Sequence, residues 1–138
     1  MANKIFLDTN ILIDYTLQRK GELNEIERIF NLAEENKIDL HISESVFATT
    51  IYYLQKNKLN TLGIIRELSK VLTFIPFKKE IISHPLERFK DVEGGILYFL
   101  AFKARMQYFI TRNVKGFKFT LPSLPVFTPS KILKDYFS

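Results

Sequence analysis

Short apolar runs alternate with segments of helical period along the chain, and this alternation constrains the fold more than any other feature. The runs are 4–7, 40–42, 72–77, 108–111 and 125–127. Between them, apolar residues recur at the spacing of one helix face, as they do through 22–36. Strands that alternate with helices predict parallel β-α-β units with helices on both faces of one sheet. We therefore expect an α/β fold, a three-layer α/β/α sandwich with a parallel four- to five-stranded sheet.

The predicted helices occupy the segments between these strands. Their expected bounds are 11–18, 22–36, 43–57, 60–70, 78–88 and 91–105, with a short helix from 128. Ser43 and Asp91 are suitable N-cap residues for two of them. Pro85 lies inside the basic segment 78–88 and disfavours a continuous helix there. The segment 91–105 is apolar nearly all round, which predicts a buried helix.

Length and composition exclude several classes of protein. The 138 residues, 46% of them hydrophobic, contain no internal repeat or linker, so we expect a single domain over 1–138. No apolar run reaches about 18 residues, and the first residues lack the pattern of a signal peptide, so we expect a cytoplasmic protein without membrane contact. The chain has no cysteine and two isolated histidines. Any bound metal would therefore be held by oxygen ligands.

The basic residues are concentrated in the C-terminal part of the chain. Residues 1–77 carry nine basic and ten acidic side chains, whereas residues 78–119 carry nine basic and four acidic ones. Such a basic surface suits a polyanionic partner such as RNA, although a solvated basic surface has the same composition. The basic residues expected to line a cleft are Lys78, Lys79, Lys90, Arg112, Lys115 and Lys118.

Acidic and polar side chains follow the strand ends. Asp8 directly follows the first strand, and Asp91 and Glu93 open the helix that precedes the fourth. In parallel sheets, ligands bind at the carboxyl ends of the strands. Carboxylates that converge there repel one another unless a cation lies between them, and Mg²⁺ or Mn²⁺ prefers such oxygen ligands and assists phosphodiester hydrolysis. We therefore predict that Asp8, Asp91 and Glu93 are catalytic and metal-binding.

Each of these acids also has a purely structural interpretation. Asp8 and Asp91 suit helix N-caps, and Glu93 and Glu44 suit the first turn of a helix, where a negative charge favours the helix dipole. Asp14 lies about one and a half turns into its helix and is expected to be solvent-exposed. Both interpretations remain open from the sequence.

Four segments resemble the PIN domain, the fold of the VapC-type toxin ribonucleases. Ile5–Asp14 resembles the opening motif of that family, and Phe89–Ile96 resembles its later acidic segment. Tyr108–Asn113 is similar to its fourth strand and the following loop, and Pro125–Pro129 is similar to its closing strand and helix start. The four segments occur in order across essentially the whole chain. The resemblance implies a PIN fold and a metal-dependent endoribonuclease of the toxin-antitoxin type.

The resemblance also implies a depleted acidic site. Members of the family gather three or four acids around one or two Mg²⁺ or Mn²⁺ ions, and Asp8 matches the first of these acids. The places of the other three carry different residues, namely Thr50, Gly94 after Glu93, and the stretch from Asn113 to Gly116. This departure implies weak binding of Mg²⁺ or Mn²⁺ by Asp8, Asp91 and Glu93, and activity that is reduced or lost.

Two functions follow from these residues. In the first, the chain cleaves RNA, Arg112 contacts a phosphate, and the substrate-binding residues are Asn10, Thr111, Arg112, Asn113 and Lys115. In the second, the same fold binds RNA or an antitoxin without cleaving anything. The resemblance implies an antitoxin partner and a homodimer in either case.

Two other classes place an aspartate at the end of a strand. A haloacid-dehalogenase-type phosphatase needs a second aspartate two residues later, where this chain has Asn10. A phospho-receiver domain needs an acidic pair after its first strand, and the chain has none there. We therefore discount both.

Overall fold

Five strands form one sheet in the computed structural model, which describes residues 2–137. The strands are β1 (Asn3–Leu7), β2 (Ile38–Ser43), β3 (Leu72–Ile75), β4 (Tyr108–Ile110) and β5 (Val126–Phe127). Their order in the sheet is β3-β2-β1-β4-β5, and every neighbouring pair is parallel. The predicted parallel sheet is therefore confirmed.

Helices cover both faces of this sheet. They are α1 (Thr9–Thr16), α2 (Leu23–Glu34), α3 (Glu44–Lys56), α4 (Thr61–Ser69), α5 (Val92–Lys103) and α6 (Pro129–Tyr136). Helix α1 contacts α2 and α3, α3 contacts α4, and α2 contacts α6, whereas α5 packs against the segment that follows β3. From β1 to β3 the chain adds each new strand on one side of β1, and β4 and β5 then follow on the other side. Because crossovers between parallel strands are right-handed, the connections made in these two directions lie on opposite faces of the sheet. Within residues 2–137, no helix is long and apolar enough to cross a membrane.

The reversal of direction makes the central strand β1 the point at which the strand order switches. Ile5, Phe6 and Leu7 of β1 are fully buried, and Leu7 pairs with Ile110 of β4. The backbone N–H of Asp8 donates to the carbonyl of Ile110 at 2.9 Å, so the carboxyl ends of β1 and β4 lie side by side. This is the point at which the strand order switches, where ligands of open α/β sheets usually bind.

Helix α5 is buried, as its composition predicts. The hydroxyl of Tyr98 donates to the carbonyl of Leu124 at 2.7 Å and accepts from the backbone N–H of Leu121 at 2.6 Å, which fixes the loop before β5. Gly95 has a packing role in the first turn. A Cβ there would lie 2.9 Å from two ring carbons of Phe89, so glycine lets this ring rest directly on the helix.

The prediction of a helix over 78–88 is wrong. The segment forms two short 3₁₀ turns, Lys79–Ser83 and Leu86–Arg88. His84 between them is extended, with φ −74° and ψ 162°, because Pro85 disfavours the helical conformation of the residue before it. The entry to this segment is held by Glu44, whose carboxylate accepts the backbone N–H of Phe77 at 3.0 Å. Glu44 therefore fixes a loop in addition to lying in the first turn of α3.

Candidate active site

Asp8 is held at the switch point by hydrogen bonds to both of its carboxylate oxygens. It is the N-cap of α1, and Oδ1 accepts the backbone N–H of Thr9 at 2.8 Å. Oδ2 accepts the hydroxyl of Thr111 at 2.8 Å. Asp8 is only 8% exposed. The structural role predicted for Asp8 is thus present, and it orients the same carboxylate that we predict to be catalytic.

Thr111 links the loop after β4 to the start of α1. Its buried hydroxyl accepts from Asn10 Nδ2 at 3.3 Å and from the backbone N–H of Asn113 at 3.2 Å, so its own proton is directed to Asp8. Asn10 Oδ1 in turn accepts the backbone N–H of Arg112 at 3.1 Å. The structure thereby brings four of the predicted substrate-binding residues together beside Asp8. Lys115, the fifth, lies exposed in the next turn of the same loop.

Asp91 and Glu93 lie at the N-terminus of α5. Asp91 is the N-cap of this helix, and its Oδ1 accepts the backbone N–H of Glu93 at 3.2 Å. Burial raises the pKa of Glu93 above its usual range, and the charges of Asp91 and Asp8 raise it further. Burial also raises the pKa of Asp8, although the hydrogen bonds from Thr111 and Thr9 act in the opposite direction. The charges of the three carboxylates therefore act on one another.

The chemistry of these three side chains suits a divalent cation, but they are not gathered as a finished ligand set. Three carboxylates offer hard oxygen donors, and a cation between them would relieve their repulsion. Among residues 2–137, however, no group of three or more acidic or histidine side chains is arranged around one point as metal ligands. Asp8 and Asp91 each use one carboxylate oxygen to cap a helix. The three side chains thus offer the oxygen donors that Mg²⁺ or Mn²⁺ prefers, without being arranged around one point.

The positions where the resemblance implies further acids offer no carboxylate. Thr50 is fully buried in α3, and its hydroxyl donates to the carbonyl of Val46 at 2.8 Å, within its own helix. Gly94 and Gly116 lie beside residues of the site. A Cβ on Gly94 would lie 3.4 Å from Asp91 Oδ2, and one on Gly116 would lie 2.9 Å from Asn113 Nδ2.

The prediction that Asp14 is solvent-exposed is wrong. Asp14 is 6% exposed, and Nη1 of Arg112 lies 3.1 and 3.2 Å from its two carboxylate oxygens, while Arg19 Nη1 lies 3.8 Å away. Burial raises the pKa of Asp14, and Arg112 and Arg19 counteract this effect. The sequence does contain a signal for this contact. Asp14 follows Asn10 by one helical turn, so both lie on the face of α1 that meets the loop after β4.

Comparisons with known proteins agree with this architecture. The chain is 28% identical to Ribonuclease VapC1 of Aquifex aeolicus (strain VF5) over 142 residues, which cover 98% of this chain and 96% of that protein. Among solved structures, a chain of a toxin-antitoxin complex from Klebsiella pneumoniae matches with a TM-score of 0.69 at 22% identity, covering 91% of this chain and 97% of that one. A chain of VapBC2 from Rickettsia felis, bound to a DNA fragment from its promoter, matches with a TM-score of 0.70 at 19% identity, covering 91% and 98%.

The family model of the PIN domain matches residues 4–115. This range runs from the second residue of β1 to the loop after β4, so it includes Asp8, Asp91, Glu93 and Arg112. The chain therefore belongs to the PIN domain family.

Proposed function

We propose that this protein is an endoribonuclease of the toxin-antitoxin type that depends on Mg²⁺ or Mn²⁺ and acts on RNA in the cytoplasm. The observation that carries the proposal is the position of Asp8, which is buried at the switch point of the sheet. The charge of Asp91 raises the pKa of Asp8, and the charge of Asp8 raises the pKa of Glu93. The likeness to Ribonuclease VapC1 over nearly the full length of both chains supports the same activity.

We assign a different role in this reaction to each residue of the site. Asp8, Asp91 and Glu93 would hold a divalent ion, which would supply charge neutralisation at the phosphate and activation of a water. Thr111 orients Asp8 by donating its hydroxyl proton to Oδ2. A carboxylate is a suitable general base, and we assign to Glu93 the acceptance of a proton from the attacking water.

Arg112 is the proposed phosphate contact. Both of its hydrogen bonds to Asp14 use Nη1, and its side chain is 55% exposed. The N–H groups of Nη2 and Nε therefore stay available for a phosphate oxygen while the guanidinium is anchored. The anchor reduces the conformational freedom that the side chain loses when it binds substrate.

A second function is favoured by one specific observation. The described acids do not form a finished ligand set, and Thr50, Gly94 and Gly116 add no carboxylate. A protein with this site that has lost catalysis would bind RNA or an antitoxin through the same surface. Cleavage and binding must therefore be measured separately.

The test is RNA cleavage by the purified protein in Mg²⁺ or Mn²⁺, with EDTA as one control and the Asp8→Asn variant as another. Asp39→Asn is a matched variant, because Asp39 is an exposed aspartate on the neighbouring strand β2. Metal-dependent cleavage that is lost in Asp8→Asn and kept in Asp39→Asn supports the nuclease. RNA binding that weakens with salt, without cleavage by the wild type, supports the second function. An unchanged metal affinity in Asp8→Asn contradicts the metal assignment.

We also propose an antitoxin partner and a homodimer. The support for the partner is that the two solved relatives described above come from toxin-antitoxin assemblies. Several large apolar side chains are exposed on this chain, among them Tyr52, Leu62, Phe77 and Ile82. Light scattering after size exclusion measures the mass in solution, and a monomer at micromolar concentration contradicts the dimer.

A further inference from the structure

The buried carboxylate of Asp14 faces a second arginine besides Arg112. Arg19 lies just beyond the end of α1, where its backbone N–H donates to the carbonyl of Asp14 at 3.0 Å. Arg19 Nη1 lies 3.8 Å from Asp14 Oδ1, and Arg112 Nη1 lies 3.1 Å from the same oxygen. One carboxylate thus serves two guanidinium groups. Both arginine side chains also reach solvent, since that of Arg19 is 44% exposed and that of Arg112 is 55% exposed.

Beyond Arg19, aromatic rings and a further cation continue over the C-terminal part of α3. The guanidinium carbon of Arg19 lies 6.0 Å from the ring centroid of Tyr53. Lys56 Nζ lies 6.0 Å from the ring centroids of both Tyr53 and Tyr52. The two rings meet edge to face, with centroids 5.4 Å apart, and Tyr52 is 59% exposed. We call this row of contacts the α1–α3 strip, and its members are Arg112, Arg19, Tyr53, Lys56 and Tyr52.

The cations of the α1–α3 strip outnumber the acids that act on it. Within residues 2–137, Lys56 forms no ion pair, and both arginines pair with Asp14. Glu22 is the other acid whose charge raises the pKa of Asp14. Its carboxylate is engaged at the start of α6, because it accepts the backbone N–H of Ser130 at 2.8 Å and also the hydroxyl of that residue. Three cations against two carboxylates leave an excess of positive charge, which suits a polyanion.

The alternation of cations and aromatic rings suits an unpaired nucleic-acid strand in particular. Bases of a single strand stack on aromatic side chains while its phosphates pair with the cations beside them. Bases inside a duplex are stacked on one another, and an exposed tyrosine ring has no access to their faces. The strip also begins at the acidic site, since Arg112 follows Thr111, whose hydroxyl donates to Asp8. From there it extends over α1 and α3, which pack against each other.

We propose that the α1–α3 strip binds the stretch of single-stranded RNA that adjoins the phosphate at the acidic site. Arg112, Arg19 and Lys56 bind successive phosphates, and Tyr52 stacks on a base. Tyr53 holds its neighbours in place, because it contacts Arg19, Lys56 and Tyr52 from a half-buried position. This proposal rests on the proposed function and deepens it, because it specifies that the strand crosses α1 and α3.

The test measures binding by fluorescence anisotropy in EDTA and low salt, so that the readout does not depend on cleavage. The probe is a labelled decanucleotide of uridine, used as a single strand and as a duplex with its complement. The strip variant carries Arg19→Gln, Lys56→Gln and Tyr52→Ala, which leaves Arg112 and Asp14 unchanged. The control variant carries Arg28→Gln, Lys134→Gln and Tyr136→Ala, which removes the same residue types from exposed positions on α2 and α6.

We expect the strip variant to bind the single strand at least about tenfold more weakly than the wild type, with less than about a twofold change in the control. Two lost phosphate contacts should also reduce the slope of log affinity against log salt by about 1.4. Equal weakening in the strip and control variants, weakening in neither, or a wild type that binds no single strand overturns the proposal.

Substitutions of Tyr52 alone test the stacking. Tyr52→Ala should weaken binding of the single strand by at least about fivefold and leave binding of the duplex unchanged, whereas Tyr52→Phe keeps the ring and should bind like the wild type. Weakening of the duplex to the same extent, or by Tyr52→Phe as much as by Tyr52→Ala, overturns the assignment of this ring. A wild type that binds RNA through the strip without cleaving it contradicts the proposed nuclease alone. A wild type that cleaves RNA while the strip variant binds normally contradicts the strip alone.

Discussion

At the scale of single residues, Thr111 and Asp14 are each held by identified hydrogen-bond partners. Thr111 accepts two hydrogen bonds and donates one, so its hydroxyl leaves Asp8 Oδ2 only the role of acceptor. Asp14 is similarly committed, because a buried carboxylate with two arginines nearby depends on the closer one, Arg112. Such residues are sensitive to changes that alter a partner without altering the volume of the side chain.

The pair of Asp14 and Arg112 should contribute to stability as well as to RNA binding. Arg112→Gln leaves the buried Asp14 with only Arg19, so we expect the free energy of unfolding to fall by about 1 kcal/mol. Arg19→Gln is the matched control, and because Arg19 lies at 3.8 Å its loss should cost less than about 0.5 kcal/mol. Urea unfolding of both variants measures the difference, and equal effects would contradict the anchoring role of Arg112.

His41 should make stability depend on pH near neutrality. Burial lowers the pKa of His41 below its usual value of 6.5, Lys4 lowers it further, and Asp39 opposes the shift. A histidine whose pKa is depressed in the folded state stabilises the fold above the unfolded pKa, and this contribution is lost as the pH falls below it. Relative to His41→Gln, the wild type should therefore lose stability between pH 7.5 and 5.5, by at most about 1.4 kcal/mol per pH unit. Parallel stability curves for the two proteins would contradict this assignment.

At the scale of elements, the sequence predicted those whose own residues determine them. The apolar run of β1, the helical period of α2 and the Ser43 N-cap of α3 are confirmed, and Ser43 Oγ accepts the backbone N–H of Val46. The prediction of a helix over 78–88 was wrong because it rested on the basic composition of the segment, which does not determine the backbone conformation. Pro85 does restrict the backbone, since it disfavours a helical conformation of the residue before it.

The role of Asp14 was missed for a different reason. It depends on Arg112, 98 residues away, and such a contact is set by tertiary packing. That the segments of Asp8, Asp91 and Glu93 come to one edge of the sheet was predictable, because the strand order alone brings them there. The orientation of these side chains was not predictable, because it depends on which oxygens the helix caps use.

The two neighbouring glycines of α5 should respond oppositely to the same substitution. Gly94→Ala places a Cβ 3.4 Å from its nearest neighbours, which is ordinary contact, so the gain in helix propensity should leave stability unchanged or raised by up to about 1 kcal/mol. Gly95→Ala places a Cβ 2.9 Å from the Phe89 ring, which is itself packed against Tyr98 and Phe99, and should destabilise by about 1–3 kcal/mol. Thermal unfolding of the two variants is the measurement. A stabilised Gly95→Ala would show that the Phe89 ring moves freely.

At the scale of the whole molecule, the switch in strand order and a group of charged side chains occur at the same edge of the sheet. The switch point at the ends of β1 and β4 would exist in any chain with this strand order, but here it is bordered by acids from two distant segments and by Arg112. Burial raises the pKa values of both Asp8 and Glu93, and the charges of the neighbouring acids raise them further. An ion that binds them therefore stabilises the entire fold, because binding to the native state alone shifts the unfolding equilibrium.

Because metal binding is coupled to unfolding, the rise in Tm that a metal produces reports how tightly the site binds it. Adding acids at the two bordering positions, as Gly94→Asp with Gly116→Asp, should raise the affinity for Mn²⁺ and increase the rise in Tm that Mn²⁺ produces. Gly94 tolerates a Cβ, and the Cβ at Gly116 meets only the flexible end of Asn113. Without metal, the same variant should unfold at a lower temperature than the wild type, because two further carboxylates join those that already repel one another.

Gly94→Asn with Gly116→Asn is the control, since it has nearly the same shape without the charge. The amide variant keeps Asp8, Asp91 and Glu93. If the acidic variant binds Mn²⁺ 100-fold more tightly than the amide variant, linkage at saturating Mn²⁺ predicts a difference of about 2.7 kcal/mol in the metal-induced stabilisation. A response to Mn²⁺ that is equal in both variants would mean that these positions do not face the ion. The three existing carboxylates would then have to define the site alone, and Asp8→Asn would remain the substitution that decides whether they do.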